Sequence, residues 1–465
     1  MCKGENKLEI RNQFDSLSPI DYRYPDKEVA KYLSENGFTH YKLLVELALV
    51  RVLYRRGICP ETAVKEVEIA CSQVTTEEVY EEEDRIRHDI RALVNCIRAK
   101  VSENTKPYVH MMATSNDIID PANAARYKDV VQKVLVPSLV QLEGVIIDIT
   151  LREADTVQIG RTHGQHAVPI TFGFALAGYV SRIGGSIKAL KTLAAELPGK
   201  FSGAVGAYNA SSLFFEDPEM FETEVLAELG LTPAECSTQV IPPEAMTRLL
   251  CEIAILSGIL ANLADDMRNL QRTEIGEVGE EFEAAQVGSS TMPQKRNPIN
   301  FENAKSCWKI IVPRIVTVLM DQISEHQRDM TNGASIRTHP EIVAYAVHTA
   351  KRLTRTMQKL KVDHENLQKN LEMTNGGIIA EPMQLIPSAL GHPDAHEKVR
   401  LLTLQAQREK RPLEEVIIAD SEMQTYLEKM TPYQRQILSN PALYIGIADK
   451  KAKTVAERWK KKLEL

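Results

Sequence analysis

Ser289, Lys295 and Asn297 stand within one run, Gly288-Ser289-Ser290-Thr291-Met292-Pro293-Gln294-Lys295-Arg296-Asn297-Pro298. Its small residues let a backbone come close to a ligand, and hydroxyls, cations and an amide follow. Such a run makes a poor core segment and a suitable catalytic loop. Pro298 then opens an apolar-periodic stretch, Ile299, Phe301, Ala304, Trp308, Ile311 and Val312, which predicts a helix with proline at its first position. Lys295 and Asn297 would lie beside the free N–H groups and positive dipole end of that helix, a place that favours an anion.

A second polar run is Ile159-Gly160-Arg161-Thr162-His163-Gly164-Gln165-His166-Ala167-Val168-Pro169. His163 and His166 could bind a metal, pack as structural imidazoles or move a proton. A third ligand of the right type is not nearby, and on a loop this spacing fixes no geometry. Proton transfer takes the greater weight, because imidazole titrates nearest neutrality. No metal and no cofactor is expected.

The elements that must position these groups are helical. Thr75-Thr76-Glu77-Glu78 reads as a capping box, and Ile86, Ile90, Leu93 and Ile97 form a stripe from which Arg87, His88 and Asp89 project. Thr114-Ser115-Asn116-Asp117 reads as a polar loop before an N-cap at Asp120 and a first helical residue at Pro121. Beyond it runs a stripe of Val131, Val134, Leu135, Leu139, Leu142, Ile146 and Ile149, with a kink expected at Pro137. Further long periodic segments span roughly 169–197, 244–273, 298–324 and 340–361. The expected class is all-α, with an N-terminal helical domain over 1–119, a central long-helix bundle over 120–366 and a smaller helical domain over 367–465.

Composition sets the outer bounds. The 465 residues carry 56 Lys+Arg against 63 Asp+Glu, a formal charge of −7. Nucleic acid and anionic membrane are therefore disfavoured partners, although a locally basic pocket can still hold an anionic ligand. Seven scattered cysteines without CxxC spacing read as reduced. The expected location is the cytoplasm, since no signal or membrane-spanning run of about 18 apolar residues stands out.

The pattern Gly-Ser-Ser-x-Met-Pro-x-Lys-x-Asn-Pro resembles the signature of the fumarase/aspartase superfamily, whose members cleave C–N or C–O bonds and release fumarate. Within it, the chain is most similar to the adenylosuccinate lyases. Arg23-Tyr24, Arg87-His88-Asp89, Thr114-Ser115, Arg161-Thr162-His163-Gly164, Thr238-Gln239, Gln271-Arg272-Thr273-Glu274, the signature loop, Arg328-Asp329 and Arg337 look like that family's motifs in their usual order. One departure is Gly333, where the family usually has a serine that contacts phosphate; Thr331, Asn332, Ser335 or the Gly333 backbone could take its place.

The resemblance implies a three-domain subunit in a homotetramer, each active site drawing loops from three subunits, and fumarate release from adenylosuccinate to give AMP. It also implies cleavage of succinylaminoimidazole-carboxamide ribotide (SAICAR) to AICAR, in purine biosynthesis. By resemblance Ser289 is the base, His163 the acid, Lys295 the cation that stabilises charge, and His88 a group that meets or orients substrate. Arg23, Tyr24, Arg328 and Arg337 would hold phosphate. Thr114, Ser115, Gln239, Ser290 and Asn297 would hold the succinyl carboxylates and nearby polar atoms, with Arg87, Asp89 and Arg296 as further substrate contacts. The alternatives are a sister lyase acting on another succinyl adduct such as argininosuccinate, and a non-catalytic scaffold. A scaffold has no need of Ser289, His163 and Lys295 together, and argininosuccinate has no phosphate for the arginines.

Overall fold

The computed structural model describes residues 16–281, 291–292 and 294–465. The elements that matter for function are α1 (Glu35–Arg55), α2 (Thr76–Ile86), α3 (Asp89–Arg98) and α4 (Ser115–Arg152). They are followed by strands β1 (Val157–Thr162) and β2 (Gln165–Thr171), then α5 (Phe172–Ala195), α6 (Glu244–Leu270), α7 (Ile299–Met320), α8 (His339–Gln358) and, after shorter helices, α9 (Ala448–Lys462). The chain is all-α in class, and α4 to α8 are the five long helices that the apolar periodicity predicts. Among the described residues the remaining β pairings join only 198–199 to 232–233 and 278–279 to 361–362.

The chain divides into two compact units. The first holds the residues up to Val140, Gly185–Leu260 and Ala304–Lys351; the second holds Gln141–Gly184, Ala261–Asn303 and Arg352–Leu465. In the first, α1 starts at Ser34, whose hydroxyl accepts from Gly37 N–H at 3.1 Å. A side chain at Gly37 would meet the Lys31 and Tyr32 backbone at 2.7 Å, so glycine is required there. The helix then buries Val45, Leu49, Val50, Val52 and Leu53 completely, packing on the first half of α4. Each such side chain contributes about 1.5–3 kcal/mol of burial free energy. In the second unit, Met383, Val399, Ile417 and Met423 gather from the short C-terminal helices into a separate apolar cluster. There α9 docks with Trp459 against Gly184 of α5, where an added Cβ would lie 2.4 Å from the indole.

Three local expectations change. The capping box is present at Thr75 and Glu78, but the helix it starts does not run on through Arg87-His88-Asp89. It ends at Arg87, which is left-handed at φ 60°, and His88 caps α3 by accepting Arg91 N–H on Nδ1 at 3.2 Å. The stripe of Ile90, Leu93 and Ile97 is buried all the same. α4 starts at Ser115 rather than Pro121, because Asp117 turns back to accept Thr114 N–H at 2.8 Å. Pro121 thus falls in the second turn, where it forfeits a helical hydrogen bond. The irregularity expected at Pro137 takes the form of a π-helical turn over Val131–Leu135, just before it. Both α4 and α6 carry windows apolar enough for a membrane span, yet over half of each window is buried within the protein, as in core helices.

Candidate active site

In the first unit the site is built on Thr114 and Ser115. Asp117, fully buried, accepts from the Lys200 ammonium at 2.5 Å and from Gly203 N–H at 3.2 Å, besides its bond to Thr114. Lys200 also donates to Gly203 O at 3.1 Å. One buried ion pair thereby fixes the Thr114-Ser115 backbone and the turn after Lys200 together. That turn is in turn joined to the Thr238-Gln239 stretch, since the Ser202 and Ser237 hydroxyls bond at 2.7 Å. Asp120 accepts Ile241 N–H at 2.9 Å, and burial pushes its carboxyl up to about 6 against that bond and the Lys200 charge.

Arg328 lies over this frame. Its Nη1 donates to Asn116 Oδ1 at 2.5 Å and to Gln239 Oε1 at 3.1 Å. The structure therefore brings Thr114, Ser115, Gln239 and Arg328 into one cluster. Arg337 instead lies 3.9 Å from Glu35, while Arg23 is exposed and Tyr24 packs its ring on His348 at 4.8 Å. Arg87 and His88 are exposed at the break between α2 and α3; the Asp89 carboxylate lies 3.6 Å from His88 Nδ1 and also accepts Ile90 N–H at 2.7 Å. The hydroxyls near Gly333 are already engaged. Thr331 donates to Asp329 and Ser335 to Asp321, each at 2.5 Å, and Asn332 Nδ2 donates to Asp321 O at 2.8 Å.

In the second unit His163 does not sit on an irregular loop. It and Gly164 form the two-residue turn of the β1–β2 hairpin, both with positive φ, 53° and 73°, the signature of a type I′ turn. The imidazole is held out, exposed. The hairpin is braced from below by Glu277, which is fully buried and accepts from Arg161 at 2.5 and 3.1 Å, Gln158 at 2.7 Å and Asn370 at 2.8 Å. His166 is pulled below the usual histidine range by burial and by the neighbouring Arg161.

Of the signature loop, Ser289 and Ser290 lie outside the described residues. Lys295 and Arg296 are exposed and Asn297 half-buried. The loop is tied back through Gln271, whose amide donates to Arg296 O at 3.2 Å and whose carbonyl accepts Glu280 N–H at 3.1 Å. The N–H groups at the start of α7 are not free for a ligand, contrary to expectation. Glu280 takes Asn300 N–H at 3.0 Å, Phe301 N–H at 3.1 Å and the Asn300 amide at 2.7 Å. An anion does occupy this helix N-terminus, as the dipole argument requires, but the protein supplies it. Burial outweighs these donors and raises the Glu280 carboxyl.

Asp117, Lys200, Glu277 and Glu280 are the functional supports that sequence reasoning missed. Only Asp117 had a readable signal, its position three residues after Thr114.

The sequence matches the family described as Lyase over residues 27–312 and the one described as Adenylosuccinate lyase C-terminal over 324–435. Among relatives, the adenylosuccinate lyase of Pyrococcus horikoshii is 36% identical over 95% of this chain and 98% of its own. That of Methanocaldococcus jannaschii is 33% identical over 93% and 94%. The fold is shared with 3-carboxy-cis,cis-muconate lactonizing enzyme from Pseudomonas putida, at TM-score 0.84 and 24% identity over 96% of this chain and 99% of that one. A fumarate lyase from Mesorhizobium sp. superposes at TM-score 0.82, also 24% identical, over 93% and 98%. Motif order, fold and near full-length similarity agree, and the chain belongs to the adenylosuccinate lyases of the lyase family.

Proposed function

We propose that this protein is a C–N lyase that eliminates fumarate from adenylosuccinate to leave AMP, and by the same chemistry converts SAICAR to AICAR. The observation that carries the reading is similarity to adenylosuccinate lyases along almost the whole of both chains. A base removes the proton beside a succinyl carboxylate, the carbanion spreads into that carboxylate, and the C–N bond breaks as an acid protonates the departing nitrogen. Ser289 is the base in this reading. Its hydroxyl needs nearby positive charge to ionise, which Lys295 supplies. His163 is the acid, and its outward place on a braced turn supports that role. Asn297 and Lys295 stabilise the developing charge, and His88 orients substrate beside them.

Phosphate falls to Arg23, Tyr24, Arg328 and Arg337, and the succinyl end to Thr114, Ser115, Gln239 and Ser290, with Arg87, Asp89 and Arg296 flanking. The paired contacts of Arg328 with Asn116 and Gln239 support a preformed polar floor there. The domain division at 119 and 366, a cytoplasmic location and a homotetramer with shared sites belong to the same reading. An exposed apolar stripe along and just beyond α7, Val316 at 58%, Leu319 at 48% and Ile323 at 78%, supports self-association.

The test is fumarate release from adenylosuccinate, with argininosuccinate in parallel. Fumarate and AMP from the first alone are expected; fumarate from argininosuccinate alone would overturn the nucleotide reading. Mixing inactive His163→Asn and Ser289→Ala oligomers should restore part of the activity if loops are shared between subunits. No recovery after demonstrated subunit exchange would count against shared sites.

A further inference from the structure

Phe38, in the first turn of α1, carries two cations on one ring. The Lys42 ammonium lies 4.4 Å from its centroid and the Arg126 guanidinium carbon, on α4, lies 3.9 Å from it. Both residues are buried, Lys42 at 5% and Arg126 at 7% exposure. Among the described residues neither has a carboxylate within hydrogen-bond reach. The nearest to Lys42 is Glu35 at 4.0 Å, beyond hydrogen-bond reach. Arg126 uses Nε on Asn123 Oδ1 at 2.9 Å, and its terminal nitrogens have no acceptor among the described residues. Arg337, 67% exposed, approaches the same Glu35 at 3.9 Å, and Arg126 feels both the Glu35 carboxylate and, against it, the Arg337 charge. Asp89 and Glu83 reach Lys42 only as weaker, longer-range charges.

A buried cation without a partner is unfavourable by several kcal/mol, and one aromatic face recovers only a fraction of that. Two together, in contact with one ring and next to an exposed arginine, make sense if the missing anion arrives with a ligand. A forked guanidinium beside an ammonium suits the several acceptor oxygens and double charge of a phosphate monoester. Thr331, Asn332 and Ser335 are engaged internally, and Gly333 N–H donates to Met330 O at 3.1 Å.

We propose that Lys42 and Arg126, with Arg337 at the rim, bind the phosphate monoester of the substrate nucleotide. The proposal rests on the nucleotide reading above and extends it to two residues that belong to none of the recognised motifs. Burial holds both groups below their ordinary ranges, and the charge of Arg126 adds to this at Lys42; a bound dianion would reverse that strain.

The experiment is calorimetric binding of AMP, adenosine and inorganic phosphate to the intact protein and to Lys42→Met and Arg126→Met. AMP and inorganic phosphate should each lose about tenfold or more in affinity, the weight of a charge-assisted hydrogen bond, while adenosine stays within about threefold. Lys42→Arg keeps the charge and should keep AMP within about threefold of wild type; it also serves should a Met variant fail to fold, as checked by helix content. Unchanged AMP affinity in the Met variants overturns the proposal, and so does an equal loss for AMP and adenosine, which marks a merely structural role. Because the readout is binding, it stands apart from turnover. If the wild type binds no AMP yet binds inorganic phosphate in a Lys42- and Arg126-dependent way, the nucleotide reading fails while the anion subsite holds.

Discussion

Two clusters of buried charge in the first unit differ in one respect. Asp117 and Lys200 are both fully buried and meet at 2.5 Å, and each is also bonded to backbone groups. Lys42 and Arg126 are nearly as buried and, among the described residues, meet no anion closer than 4.0 Å. A paired buried charge can serve as framework, because its desolvation is offset within the protein; an unpaired one leaves an energetic debt that a ligand can cancel. The second unit repeats the contrast in acids. Glu277 has four donor contacts from three side chains, whereas both carboxylate oxygens of the buried Glu143 have none among the described residues.

Breaking the framework should have the largest effect. Lys200→Met leaves Asp117 buried and uncompensated, and should destabilise the fold by about 3–5 kcal/mol in denaturant unfolding; a midpoint like the wild type would make the pair dispensable. Glu143 should behave in the opposite sense. Burial pushes its carboxyl from an ordinary 4.5 up to about 9, so the folded protein keeps a proton that the unfolded chain releases. Its presence therefore lowers stability as pH rises through that window. Glu143→Met should gain nothing near pH 4.5 and on the order of 3 kcal/mol near neutrality, and parallel stability–pH curves for the two proteins would refute the buried-acid account.

Glu277→Gln weakens the brace under the hairpin. It should lower stability by about 2 kcal/mol and reduce kcat more than it raises KM, since the proposed acid His163 loses its support; steady-state kinetics with thermal unfolding will show whether the two effects travel together. The smallest effect sharpens the comparison most. Without ligand, Lys42→Met should be neutral or more stable by about 1 kcal/mol, the sign opposite to Lys200→Met although both delete a buried lysine. A destabilisation equal to that of Lys200→Met would place Lys42 in the framework.

What the sequence made legible was local. The Thr75–Glu78 box and the stripes of α4 to α8 depend on residues three or four apart, and they could be read directly. Asp120-Pro121 was misread as a helix start because a proline after an N-cap type is a strong short-range pattern. The true start depends on Asp117, whose partner Lys200 is 83 residues away. The hairpin was missed because His163-Gly164 is not one of the common turn pairs, and its flanks mix arginine, glutamine and histidine with the apolar residues. Glu280, which fills the α7 N-terminus, comes before the signature loop in sequence and has no motif of its own. The candidate site residues were found by motif; the ion pairs that hold them were not, since partnership between distant charges leaves no periodicity.

The type I′ turn has a consequence for experimental design. With φ of 53° at His163, that position admits asparagine, aspartate or glycine with little backbone strain, and most other residues only with it. Glutamine and alanine, the usual stand-ins for a histidine, would remove the imidazole and bend the turn at once, so lost turnover could not be assigned to either. Asparagine is the control that subtracts the ring alone.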